Sequence, residues 1–60
     1  MRTSELKKRL SDFGCYQSGH GKRHDVWFSP ATGNKLYIPR HDSQEIAIGT
    51  AKAIMKKAGL

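Results

Sequence analysis

Two histidines flank a glycine-lysine-arginine turn in the stretch His20 to Phe28, which reads HGKRHDVWF. Gly19 and Gly21 bracket His20, and Val26, Trp27 and Phe28 follow as an apolar, aromatic run. A flexible basic loop that feeds a strand can hold a phosphate and set an imidazole beside it. The chemistry this permits is RNA cleavage without a metal, in which a 2′-OH attacks its neighbouring phosphate. An imidazole of ordinary pKa, about 6.5, accepts or donates a proton around neutral pH. Lys22, Arg23 and Arg40 would offset the charge on a phosphorane-like transition state. His24 is the leading candidate for the acid or base; the competing reading is a polar residue at the start of a strand.

His20 lies in the glycine loop and is either a phosphate contact or a turn residue. His41, beside Arg40, is open to the same two readings. The His-x-x-x-His spacing of His20 and His24, with Cys15 and His41 elsewhere, could be drawn as a zinc site. Structural zinc sites take paired ligands from each of two short segments, and here the second pair is missing. No metal and no other cofactor is therefore expected. Lys22 and Arg23 are the densest basic pair near His24, and phosphate contact is a better account of them than a solvated turn. Lys52 and Lys56, with Lys7, Lys8 and Lys57, make a wider electrostatic footprint for RNA. Trp27 and Tyr37 have the chemistry to stack on bases, but aromatics in so small a chain belong more often to the core.

These residues must be positioned by a single domain spanning 1–60. At this size folding hides only about 60% of the surface of the unfolded chain, so core and deep pocket cannot both be built. A small-molecule substrate is not expected, and any active site is shallow or completed by a partner. Eleven Lys and Arg against five Asp and Glu give a net charge of +6 and a pI near 9.9. That field suits polyanions, and nucleic acid accounts for its concentration better than solubility alone. Cys15 is the only cysteine, which excludes an internal disulfide and marks it as a small buried hydrophobe. No signal peptide or membrane span is visible, so a cytoplasmic protein is expected.

Met1 to Gly14 has the pattern of a first helix, with Thr3 or Ser4 as N-cap, Leu6, Leu10 and Phe13 on one stripe, and Gly14 as its stop. Cys15 to Gln17 fits a first strand, Ser18 to Arg23 a turn, and His24 to Phe28 a second strand. Ser29 to Asn34 is a further turn and Lys35 to Ile38 a third strand, closed by Pro39. Arg40 to Glu45 connects to a second helix over Ile46 to Leu60, which Thr50 or a preceding residue would cap. Its apolar side is Ile48, Ala51, Ile54, Met55 and Ala58, and Gly59 ends it. The expected fold is α+β, in the order α-β-β-β-α. A three-stranded antiparallel sheet carries both helices on one face and leaves the other open. Which face His24 takes is left undecided, because a one-residue slip reverses it.

The closing IAIGTAKAIMKKAGL resembles the last helix of HicA-type toxins, and the opening TSELKKRLSDFGC resembles their first. RHDVWFSP is similar to the segment that bears their catalytic histidine, and KLYIPRH also fits. The resemblance runs in order along nearly the whole chain. It implies a fold like a double-stranded-RNA-binding domain and the toxin of a type II toxin-antitoxin system. The activity implied is endonucleolytic cleavage of mRNA, which arrests translation and is neutralised by a cognate HicB-type antitoxin. His24 corresponds to the catalytic histidine, and the antitoxin would cover its loop. Members often carry Gly-Ser directly before that histidine, whereas this chain has Lys22-Arg23 with glycine one position earlier. His20 is accordingly the second candidate. A non-catalytic RNA-binding module on the same fold is the alternative function.

Overall fold

The computed structural model describes residues 1–60. It contains α1 (Thr3–Asp12), β1 (Tyr16–His20), β2 (His24–Ser29), β3 (Asn34–Pro39) and α2 (Ile48–Ala58). The strands form one antiparallel sheet in the order β1-β2-β3, the expected meander.

α1 buries Leu6 and Leu10, four residues apart on one stripe. Thr3 is not its cap. Arg2 holds the cap position without a side-chain hydrogen bond. The first free amides of the helix, Thr3 and Ser4, instead donate to the carbonyls of Gln44 (2.9 Å) and Asp42 (3.0 Å). Those are donors that a side chain usually satisfies. The Thr3 hydroxyl also donates to Gln44 O at 2.9 Å, and the residue is fully buried. Thus the β3–α2 connection caps α1. Gly14 adopts φ +94, and the amides of Gly14 and Cys15 donate back to Ser11 O and Leu10 O. Gly59 (φ +99) and Leu60 repeat this arrangement on Lys56 O and Met55 O, so both helices stop in the same left-handed glycine motif.

β1 runs to His20, three residues beyond the expected end. Ser18 and Gly19 have turn composition, yet an edge strand needs only backbone pairing, and a register shift between Gln17 and Gly19 absorbs one extra residue. In β2 the alternation is sharp: Asp25, Trp27 and Ser29 are buried while His24, Val26 and Phe28 are not. Trp27 pairs with Leu36 and Asp25 with Ile38, which places these residues on one face. That face packs with Leu6, Leu10, Cys15, Ile46, Ala51 and Ala58 into a single core, so both helices lie on the same side of the sheet. Trp27 Nε1 is buried without a partner, so packing holds that ring in place.

α2 begins two residues later than its periodicity implies. Ile46 is buried ahead of it, Ala47 takes the cap position without a side-chain bond, and Ile48 is left 61% exposed. Phe13 likewise falls off the α1 stripe and is partly exposed. The C-terminal carbonyls of α2 are met by the β2–β3 hairpin. Ser29 Oγ donates to Ala58 O at 2.6 Å, while Thr32 Oγ1 and Asn34 Nδ2 both donate to Lys57 O, at 2.9 and 3.0 Å.

Candidate functional site

Period-two alternation carries the side chain of His24 to the helix-free face, because Asp25 and Trp27 take the other one. His24 opens β2, is exposed, and pairs with Pro39. Lys22 and Arg23 fill the turn before it, exposed, and neither forms an ion pair. The turn itself is tight. The Gly21 amide donates to His24 O at 2.8 Å, and a Cβ on Gly21 would stand 2.8 Å from that same oxygen. Glycine is required there by close approach of backbone to backbone.

On the opposite face lies a group that the sequence did not single out. The Asp25 carboxylate is 7% exposed and gathers an imidazole and two cationic side chains. His20 Nδ1 is 3.3 Å from Oδ1, Lys7 Nζ is 3.4 Å from Oδ2, and Arg40 Nε is 3.6 Å from Oδ1. Arg40 also donates to the Gly21 carbonyl, and Lys7 reaches Asp42 at 2.9 Å. Burial acts to raise the Asp25 pKa, but hydrogen bonds and charge from His20 and Lys7 outweigh it and hold the carboxyl below its usual range. Burial likewise acts to lower the Lys7 pKa, and Asp42 and Asp25 together more than reverse it. The cluster ties α1, the end of β1 and the exit of β3 to the residue next to His24. A period-two reading that fixed Trp27 in the core would have found Asp25, since the two share a face.

The candidate residues therefore fall into three places. Lys22, Arg23 and His24 stand together at the β1–β2 hairpin. His20 and Arg40 meet at Asp25, with His20 otherwise largely open to solvent. Lys52 and Lys56 are exposed on α2, on the far side of the sheet from His24. Trp27 is core as expected, whereas Tyr37 is 57% exposed on the helix-free face. His41 is exposed in the connection after β3, and Cys15 is buried. No three His, Cys, Asp or Glu side chains converge as a ligand set, and the surface has no pocket. What the arrangement offers is an exposed imidazole beside free cations on an open face. No helix is long and apolar enough to cross a membrane.

No curated protein and no solved structure matches the chain. The family model described as the HicA toxin of bacterial toxin-antitoxin systems matches residues 3–60. That match spans α1, the hairpin bearing His24 and both later elements, so the chain belongs to the HicA toxin family.

Proposed function

We propose that the protein is a metal-independent endoribonuclease that cuts mRNA, with His24 as its acid-base residue. The observation that carries this reading is the exposed His24 on an open sheet face, directly after the unpaired Lys22-Arg23 turn, in a chain of this toxin family. The 2′-oxygen forms a bond to phosphorus and the bond to the 5′-oxygen breaks, leaving a cyclic phosphate and a 5′-hydroxyl. His24 takes the 2′ proton or supplies one to the leaving oxygen, and solvent water carries the other of these two transfers. Lys22 and Arg23 hold the phosphate and offset its developing charge. Arg40, turned to Asp25 and Gly21, fixes the turn. Lys52 and Lys56 attract RNA at longer range. The overall shape, two helices on one side of a three-stranded sheet, supports the likeness to a double-stranded-RNA-binding domain. A shallow site is most simply silenced by covering it, so a HicB-type antitoxin with an acidic surface occludes the His24 loop.

The test separates cleavage from binding. His24→Ala should abolish mRNA cleavage and leave RNA affinity within a few-fold of wild type. Equal cleavage by the variant would remove His24 from the chemistry. RNA binding with no cleavage by wild type would favour a non-catalytic RNA-binding module. One observation favours a second reading of the centre itself. The buried Asp25 carboxylate can hold the proton of His20 on Nδ1 and leave Nε2 facing solvent, an orientation useful to an acid or base.

A further inference from the structure

We propose that the helix-free face of the sheet is a base-stacking platform for single-stranded RNA, with Tyr16, Phe28 and Tyr37 as its rings and His24 at one end. This rests on the RNA-directed reading above and names the form of RNA that the site takes.

Strand pairing orders the face into rows. Tyr16 and Lys35 flank Phe28, Gly19 and Tyr37 flank Val26, and Pro39 lies beside His24. Tyr16 and Tyr37 are 53% and 57% exposed, and the Tyr16 and Phe28 rings sit 5.8 Å apart in a tilted pair. Three of the five aromatic residues of the chain thus lie on the one face that no helix covers, while the core receives only Trp27. Rings left in water add little to the stability of a domain this small, but they offer flat apolar surface to unstacked bases. By strand geometry Tyr37 is about 8 Å from His24, and Phe28 about 13 Å along β2, so stacked bases would lead a chain toward the imidazole. The row between them is open at Gly19, where a Cβ would meet nothing within 4 Å.

Charge supports the same occupant. Asp25, Glu5, Asp12 and Asp42 are all engaged by side-chain cations on the helix side, and Glu45 contacts the Met1 amino group. The platform therefore bears no carboxylate. Lys35 on it, and Lys22 and Arg23 at its His24 end, have no anionic partner within the protein. Aromatic rings interleaved with free cations suit a flexible polyanion whose bases are accessible. A duplex hides its base faces within its own stack and gains nothing from such rings.

Binding is measured by fluorescence anisotropy in a His24→Ala background, so that the probe is never cut. The probes are a labelled unstructured pyrimidine oligoribonucleotide and an RNA hairpin duplex. Tyr37→Thr and Tyr16→Thr preserve strand propensity, and Tyr37→Phe and Tyr16→Phe preserve the ring. Each Thr variant should weaken single-strand binding by about fivefold or more, the low end for losing one stacked base, with the Phe variants near the parent. Duplex binding should be weaker throughout and indifferent to these changes. Unchanged single-strand affinity in both Thr variants overturns the platform, even if cleavage depends on His24. Loss of antitoxin binding with RNA affinity intact overturns it too, and assigns the face to the protein partner. If the tyrosines govern single-strand binding but wild type cuts nothing, the platform stands and the ribonuclease reading falls.

Discussion

Gly21 is where the geometry around His24 is least forgiving. A methyl group there would lie 2.8 Å from the His24 carbonyl, and the atom it meets is backbone, which cannot swing aside. Gly21→Ala must therefore displace the hairpin and the imidazole with it. Cleavage should fall on the order of 100-fold, as for an ångström-scale misplacement of a reacting group; a far-ultraviolet spectrum like that of wild type would show that the fold persists. Asp25 acts on the same hairpin from the other side. Its carboxyl is held below the ordinary range, so it stabilises the fold above about pH 4 and ceases to do so as pH falls through its own lowered value. Melting temperatures of wild type and Asp25→Asn should differ most near neutrality and converge as pH falls through the lowered value of Asp25. A gap that persists in acid would mean that the carboxylate charge is not what counts. For Lys7 the sign reverses, and its contribution is lost only as pH rises through its raised value. Sequence order revealed His24 and its basic neighbours, since they are contiguous. Asp25 was not legible in this way, because its three partners come from α1, β1 and the exit of β3.

The elements show a related division. Helix stops, strand composition and the order of the five elements are local properties, and Gly14, Gly59 and the Val26-Trp27-Phe28 run made them legible. The starts of the helices are not: at α1 the carbonyls of Gln44 and Asp42 replace a side-chain cap, and α2 starts after Ala47 with no side-chain cap to mark it. β1 outruns its composition because its Ser18-Gly19 step is turn-like in residue type and strand-like in pairing. The hairpin that closes on the end of α2 invites a direct comparison. Ser29 is fully buried and donates to Ala58 O, so Ser29→Ala strands a buried carbonyl and should cost about 1–3 kcal/mol. Thr32 makes an equivalent bond in the open, and Thr32→Val should cost about 1 kcal/mol or less. Urea titrations of both variants check the order, and a larger loss at Thr32 would refute the burial argument.

At the scale of the whole molecule, charge is sorted by face and end. Every acidic side chain has a cationic partner, Asp25 in a buried cluster and the other four at exposed positions, and seven of the eleven Lys and Arg, among them Lys22, Arg23 and Lys35, have no ion-pair partner. RNA binding should accordingly weaken steeply with salt. Lys22→Ala and Arg23→Ala should each lower the slope of log K against log salt by about 0.7, the value for one phosphate contact on a single strand. An unchanged slope would place both side chains off the RNA. Net charge was readable from composition, but its segregation was not, since it depends on which strand phase Trp27 forces upon β2. In the proposed reaction His24 performs the chemistry without a metal. Single-turnover cleavage of a long mRNA in EDTA, comparing wild type with His24→Ala and His20→Ala, tests it most directly. Cleavage by wild type and His20→Ala, with none by His24→Ala, is the predicted result. Cleavage that survives in His24→Ala and disappears in His20→Ala would contradict it and move the centre to the imidazole held by Asp25.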